Sequence, residues 1–220
     1  MWSFVQDCVF PQSCLGCGVS DEFFCARCRA QATDITQPTG VYLPSSNPAI
    51  STIIALTKYQ PHSISGTLIE ALKYTYSPDA QTVITQWLRT GQEIIKTLPP
   101  ADMVIPIPLH PCRLAERGFN QADIIAHEVA TILQIPLAAK VLTRNKNTKQ
   151  QATLSKQERM RNMVSAFTVI DSKPVIGKTC IVVDDVYTTG STMGQAAETL
   201  IKSGVKQVIG FTLARAHHPT

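Results

Sequence analysis

Charge and aromatic side chains are both scarce in this chain. Asp, Glu, Lys and Arg make up 16% of its 220 residues and the formal net charge is +4, well short of the strongly basic footprint of a dedicated nucleic-acid binder. Phe, Trp and Tyr reach only 6%, so the base-stacking platform of OB-like single-strand binders is not evident. No apolar run approaches the roughly 18 residues of a membrane span. Met1 to Asp7 contain no basic region leading into an apolar stretch, so no secretory signal is expected and the cytosol is the default location. Two nucleotide signatures are missing as well. Without G-x-x-x-x-G-K-[ST] a Walker-type NTP site is excluded, and there is no G-x-G-x-x-G. No internal repeat and no low-complexity tract is present.

What the chain does have is enough apolar content, 44%, for one full core and a small appended module. Its seven cysteines are an odd number for a disulfide framework, and they cluster: Cys8, Cys14, Cys17, Cys25 and Cys28 stand together, Cys112 and Cys180 apart. Cys14-Leu15-Gly16-Cys17 and Cys25-Ala26-Arg27-Cys28 form two C-x-x-C pairs, which supply four thiolates for one tetrahedral Zn²⁺. The two-residue spacer lets the backbone turn so that both sulfurs of a pair face one ion. Two disulfides or a redox pair are the alternatives; the first is disfavoured without a secretory signal, the second without a strand-turn-helix context. A four-thiolate site leaves no position for substrate, so such a metal is structural. Cys8 reads as a small buried residue rather than a ligand.

Residues up to about Gln31 lack periodic apolar pattern and need a staple. Asp34 to Pro48, with its prolines and Gly40, reads as a joint. The boundary is placed near Thr36, giving a zinc-binding module over 1–36 and a larger domain over 37–220. That domain alternates β-rich runs (Ile53–Tyr59, Met103–Ile107, Val164–Ile170, Thr179–Val183, Gln207–Leu213) with helical stretches (Ile64–Tyr74, Thr82–Thr97, Gln121–Leu133, Met193–Ser203), the pattern of an α/β parallel sheet. Thr143 to Met163 is a long polar, basic stretch, of the kind that is usually functional.

Thr179 to Val183 reads as a central buried strand that ends in two carboxylates, Asp184 and Asp185. Directly after them Thr188, Thr189, Gly190, Ser191 and Thr192 place hydroxyls and backbone N–H groups at the mouth of a helix, where a phosphate is favoured. A strand-end Asp or a Thr-Gly cap alone is ordinary punctuation. The joint pattern is much rarer. A second constellation runs from Val104 through Pro106, Pro108 and Pro111 to Arg113, Arg117, Gly118, Phe119, Asn120 and Gln121; two arginines four apart share a face if that turn is helical, a geometry suited to pyrophosphate.

Ile181 to Thr192 resembles the phosphoribosyl pyrophosphate (PRPP) motif of type I phosphoribosyltransferases. The resemblance implies that Asp184 and Asp185 hold the ribose hydroxyls as the catalytic pair and that Thr188 to Thr192 wrap the 5′-phosphate. Purine-salvage members carry an aspartate where Thr188 stands, so purine salvage is disfavoured. The order of all these features, with Ala71-Leu72-Lys73-Tyr74, Arg117-Gly118-Phe119-Asn120-Gln121 and Gln150-Gln151, is similar to the ComF family over nearly the whole chain. What that resemblance implies is a cytosolic protein of natural competence and DNA uptake. Its expected fold is a type I phosphoribosyltransferase fold, a mainly parallel sheet flanked by helices, behind a zinc module of four cysteines. Expected partners are PRPP with Mg²⁺, single-stranded DNA and the competence helicase or uptake proteins. Arg113, Arg117 and Lys73 would take the pyrophosphate, and Arg144 and Arg159 belong to a basic loop able to close over an anionic substrate. Transfer to an acceptor the sequence does not name is one reading. A non-catalytic adaptor that uses the fold to bind the phosphates of single-stranded DNA is the other.

Overall fold

Buried strands need both faces covered, and the apolar runs of this chain meet that need by forming the centre of a three-layer molecule. The computed structural model describes residues 13–20, 22–45, 47–59, 63–74, 78–145 and 166–216. Cys8, Arg159 and the side chain of Lys73 lie outside the described part. In chain order the described elements are α1 (Ala26–Gln31), α2 (Thr33–Thr36), β1 (Val41–Leu43), β2 (Thr52–Tyr59), α3 (Ile64–Tyr74), α4 (Pro78–Thr90), α5 (Gln92–Ile95), β3 (Met103–Pro106), α6 (Pro111–Arg117), α7 (Gln121–Leu133), β4 (Leu142–Arg144), β5 (Phe167–Val169), β6 (Thr179–Tyr187), α8 (Ser191–Lys202) and β7 (Gln207–Ala216).

Five strands make the main sheet in the order β1-β2-β7-β6-β3. β2, β7, β6 and β3 run parallel, so their C-terminal ends share one edge; β1 is antiparallel to β2. A separate antiparallel pair, β4 with β5, joins Leu142 to Val169 and Arg144 to Phe167. On one face of the sheet Ile54, Leu56, Ile181, Val183 and Phe211 pack with Ile69, Ile84, Trp87, Ile125 and Val129 of α3, α4 and α7. On the other, Ile53, Cys180, Val182 and Val208 pack with Met193, Ala196, Ala197 and Leu200 of α8. Each large side chain fully withdrawn from water in this way contributes roughly 1.5–3 kcal/mol before entropy is charged against it.

Alternation along the strands slips once, at a position that matters for the site. Ile181 and Val183 of β6 face the first layer, and Val186 faces it again three residues on. In β7 the neighbours Leu213 and Ala214 both bury on that side. The ladder accordingly pairs Asp184 with Thr212 and Val186 with Ala214. Such a slip re-aims side chains at the end of a sheet.

Four expectations need correction. The segment read as a joint contains β1, whose Val41 to Leu43 pair with Ala55 to Ile53. The helix expected over Thr82–Thr97 is two, α4 and α5, interrupted at Gly91, a weak helix former. The strand expected to end at Val183 continues to Tyr187, because β7 supplies ladder partners as far as Arg215. Thr143 and Arg144, assigned to the long polar stretch, lie in β4.

Residues of the N-terminal segment, among them Phe24, Cys28 and Ile35, bury into the same cluster as Trp87 and Leu56. No described helix is long and apolar enough to cross a membrane.

Candidate functional site

The C-terminal edge of β6 and β3 opens into a cavity of about 380 Å³ lined by Ile107, Pro108, Leu109, Arg113, Arg117, Asn120, Gln121, Ala122, Arg144, Asp184, Asp185, Val186, Thr188 and Thr192. Both aspartates, both arginines of α6 and the arginine of β4 therefore face one space.

Each wall has a local cause. Asp184 and Asp185 stand where the alternation slips, and each carboxylate accepts from the next backbone N–H: Asp185 N to Asp184 Oδ1 at 2.9 Å and Val186 N to Asp185 Oδ1 at 2.7 Å. Five residues after Asp185, Gly190 caps α8 with φ +74° and no side-chain hydrogen bond. A Cβ at Gly190 would meet the Tyr187 hydroxyl and come within 2.6 Å of its Cζ, so only glycine lets the chain turn under that ring. Gly190 brings no side-chain acceptor to the first-turn N–H groups of α8, a helix of 12 residues, and these groups carry the positive end of its dipole. Thr188 and Thr192 line the cavity. Thr189 instead accepts from Ser191 N at 3.4 Å.

The opposite wall begins where His110 Nδ1 accepts from Cys112 N at 3.3 Å and Pro111 takes the first turn of α6. Arg113 and Arg117 share one face of that helix, as their spacing predicts. Gly118 ends α6, and Asn120 starts α7 by accepting from Ala122 N at 3.3 Å while donating to the Ile107 carbonyl at 3.1 Å. That side chain, 7% exposed, ties the helix pair to the end of β3. Gln121 accepts from Arg117 Nη1 at 3.3 Å and holds the guanidinium. The sequence motif contains Asn120 and Gln121 but gives them no role in the site. The signal for one is the position of Asn120 as an N-cap two residues after a glycine stop. Arg144 lies over the Phe167 ring, 5.3 Å from its centroid. Burial draws its pKa below the usual arginine value, Arg113 acts in the same sense, and Asp184 opposes both. Arg144 is thus within electrostatic reach of both walls.

Three guanidiniums, two carboxylates and a helix N-terminus around one cavity suit a ligand with adjacent hydroxyls and phosphate charge.

The four cysteines also converge. All four sulfurs lie within 4.8 Å of one another, with Cys14, Cys25 and Cys28 buried and Cys17 exposed. A tetrahedron with thiolates about 2.3 Å from its centre has edges of about 3.8 Å, and Cys17 Sγ is 3.7 Å from Cys25 Sγ. Backbone N–H groups point at the sulfurs, Cys25 N to Cys14 at 3.3 Å and Cys28 N to Cys25 at 3.4 Å. A Cβ on Gly16 would stand 2.6 Å from Cys28 Sγ, so a bare backbone is required there. Burial pushes the Cys14 thiol up, but N–H donors from Cys25, Cys17 and Gly16 outweigh it and bring it down to about 6. Burial and the three neighbouring sulfurs push Cys28 up to about 12. The donor set can hold a metal ion that favours four soft ligands.

Residues 114–220 match the phosphoribosyl transferase domain family. The DNA utilization protein YhgH of Salmonella typhi is 30% identical over 196 residues, 87% of this chain and 83% of that protein. Competence protein F of Haemophilus influenzae is 37% identical over 116 residues, 52% of this chain and 51% of its own length. Among solved structures, the glutamine phosphoribosylpyrophosphate (PRPP) amidotransferase from B. subtilis, complexed with ADP and GMP, aligns with a TM-score of 0.47 and 18% identity, over 66% of this chain and 30% of that one. The chain belongs to the ComF family, and it carries that family's phosphoribosyltransferase-type fold together with a compact four-cysteine cluster near its N-terminus.

Proposed function

We propose that this chain binds PRPP with Mg²⁺ in the cavity at the ends of β6 and β3, and that it serves the uptake and use of incoming DNA in the cytosol. The observation that carries the reading is the convergence of Asp184, Asp185, Arg113, Arg117 and Arg144 on one space beside Thr188 and Thr192. In this reading Asp184 and Asp185 accept hydrogen bonds from the ribose 2′- and 3′-hydroxyls. The backbone N–H groups and hydroxyls from Thr188 to Thr192 hold the 5′-phosphate. Mg²⁺ brought in with PRPP would supply positive charge to the diphosphate. Arg113, Arg117 and Arg144 face the diphosphate and balance the charge that builds on it as its bond to C1 lengthens, while the two carboxylates stabilise the oxocarbenium character left on the sugar. Lys73 and Arg159 belong to the same proposal as further cations on the diphosphate side. The four cysteines hold Zn²⁺, and because they fill its coordination shell the ion is structural. The metal-bearing module is taken to end near Thr36.

Calorimetry with Mg²⁺ and PRPP tests this directly. Wild type should bind, and the Asp184→Asn, Asp185→Asn double variant should lose at least about 100-fold in affinity, as two charge-assisted contacts imply, with its melting temperature kept. Equal affinity in the two proteins contradicts the reading.

A non-catalytic adaptor for single-stranded DNA, working beside the competence helicase, is the second reading, and the competence and DNA-utilization names of the relatives favour it. Binding of oligothymidylate measured against salt, with and without Mg²⁺ and PRPP, separates the two. Competition between DNA and PRPP assigns both to one cavity, and no DNA binding at any salt removes the adaptor.

A further inference from the structure

α6 carries two of the three guanidiniums that face the cavity, yet it gives no buried side chain to the core. It is seven residues long and none of them is buried. Leu114, its one large apolar side chain, is 43% exposed. A helix draws most of its stability from an apolar face packed on the core, and one this short is marginal without it. Its charges oppose it as well. Arg113 and Arg117 stand four residues apart on one face, where like charges repel, and Arg113 also acts across the cavity on Arg144, lowering the pKa of that residue.

Firm anchors lie on either side of the helix. Before it, Ile107 N donates to the Val183 carbonyl at 2.8 Å. After it, the buried Asn120 donates to the Ile107 carbonyl at 3.1 Å. Between these points Gly118 ends α6 at φ +76°, with open space where a side chain would stand, so the backbone is free to swing there. At the other end the His110 cap reaches Cys112 N at 3.3 Å, long for a hydrogen bond. The segment pinned at Ile107 and Asn120 thus has two forms, a helix against the cavity, with Gln121 taking Arg117 at 3.3 Å, and an open loop.

We propose that α6 is an arm that folds on its anion: it opens and closes in the free chain, and a diphosphate bridging Arg113 and Arg117 holds it helical. This rests on the reading of the cavity as a diphosphate site. The anion removes the repulsion among the guanidiniums, so the cost of ordering the helix enters the affinity, and the apparent dissociation constant rises as the helical fraction falls. Ala115 isolates that cost. It is exposed, lies on the far side of the helix from both arginines and does not line the cavity.

Hydrogen exchange read by mass spectrometry tests the arm on the full chain, free and saturated with inorganic pyrophosphate and Mg²⁺. The amides from Leu114 to Gly118 should exchange fast in the free chain, as those of an opening segment do, and slow by at least about tenfold with the anion. Amides in the middle of α7 should exchange slowly in both. Calorimetry of Ala115→Gly should give a pyrophosphate affinity about fivefold lower, the difference in helix propensity converted to a binding constant, at an unchanged melting temperature. Slow exchange of α6 in the free chain overturns the proposal and leaves PRPP binding standing. So does an Ala115→Gly variant that melts about 2–4 °C lower and binds pyrophosphate as wild type does, since both results mean a helix formed before the anion arrives. Fast exchange that neither pyrophosphate nor PRPP slows overturns the proposal and the PRPP reading together.

Discussion

Two glycines show how single residues set the site. At Gly190 a left-handed backbone and the Tyr187 ring beneath it both exclude a side chain. Gly190→Ala must move the ring or the loop, and strain of this kind costs about 1–3 kcal/mol. The expected result is a loss of roughly tenfold or more in PRPP affinity, read by calorimetry, with a smaller fall in stability read by urea titration. At Gly16 the obstacle is the Cys28 sulfur, and Gly16→Ala should release Zn²⁺ to a chelator at lower chelator concentration than wild type does. Both aspartates were legible in the sequence, because carboxylates closing an apolar run need a ligand or a partner. Arg144 was legible only as one cation of a basic stretch; its place over Phe167 depends on a strand pair that three-residue runs do not announce.

Among elements, the joint between α6 and α7 has the clearest energetics. Asn120 both caps α7 and ties it to the Ile107 carbonyl, so Asn120→Ala should destabilise by about 1–2 kcal/mol. For a chain of this size that is a fall of roughly 2–8 °C in melting temperature. Asn120→Asp keeps an acceptor for the Ala122 N–H but sets a carboxylate against the Ile107 carbonyl and against Asp123, to which Asn120 donates at 2.9 Å, and should destabilise at least as much as Asn120→Ala. The long periodic helices and the buried strands could be read from pattern, since apolar spacing is local. β1 could not: Val41 to Leu43 become a strand only because Ile53 to Ala55 lie alongside. The end of β6 was misplaced for a related reason, as polar residues from Asp184 onward carry no strand signal and β7 holds them in the ladder.

For the molecule as a whole, the order of strands and helices announced the α/β class, while the strand order in the sheet rests on pairings between distant residues and had no local signature. The shared burial of Phe24, Ile35, Trp87 and Leu56 couples the four-cysteine segment to the larger core. Removing Zn²⁺ should therefore lower the melting temperature of the entire chain in one cooperative transition by scanning calorimetry. Two separate transitions, with the larger one unmoved by chelator, would show that the segment up to Thr36 is energetically independent. The central claim is that a sugar phosphate sits where β6 gives way to α8. Its most direct measurement is a crystal structure of the full chain with Mg²⁺ and PRPP. The account predicts the 5′-phosphate within hydrogen-bond distance of the backbone N–H groups between Thr188 and Thr192, and the ribose hydroxyls on Asp184 and Asp185. PRPP bound away from that turn, with both aspartates still turned back onto their own backbone, would contradict it.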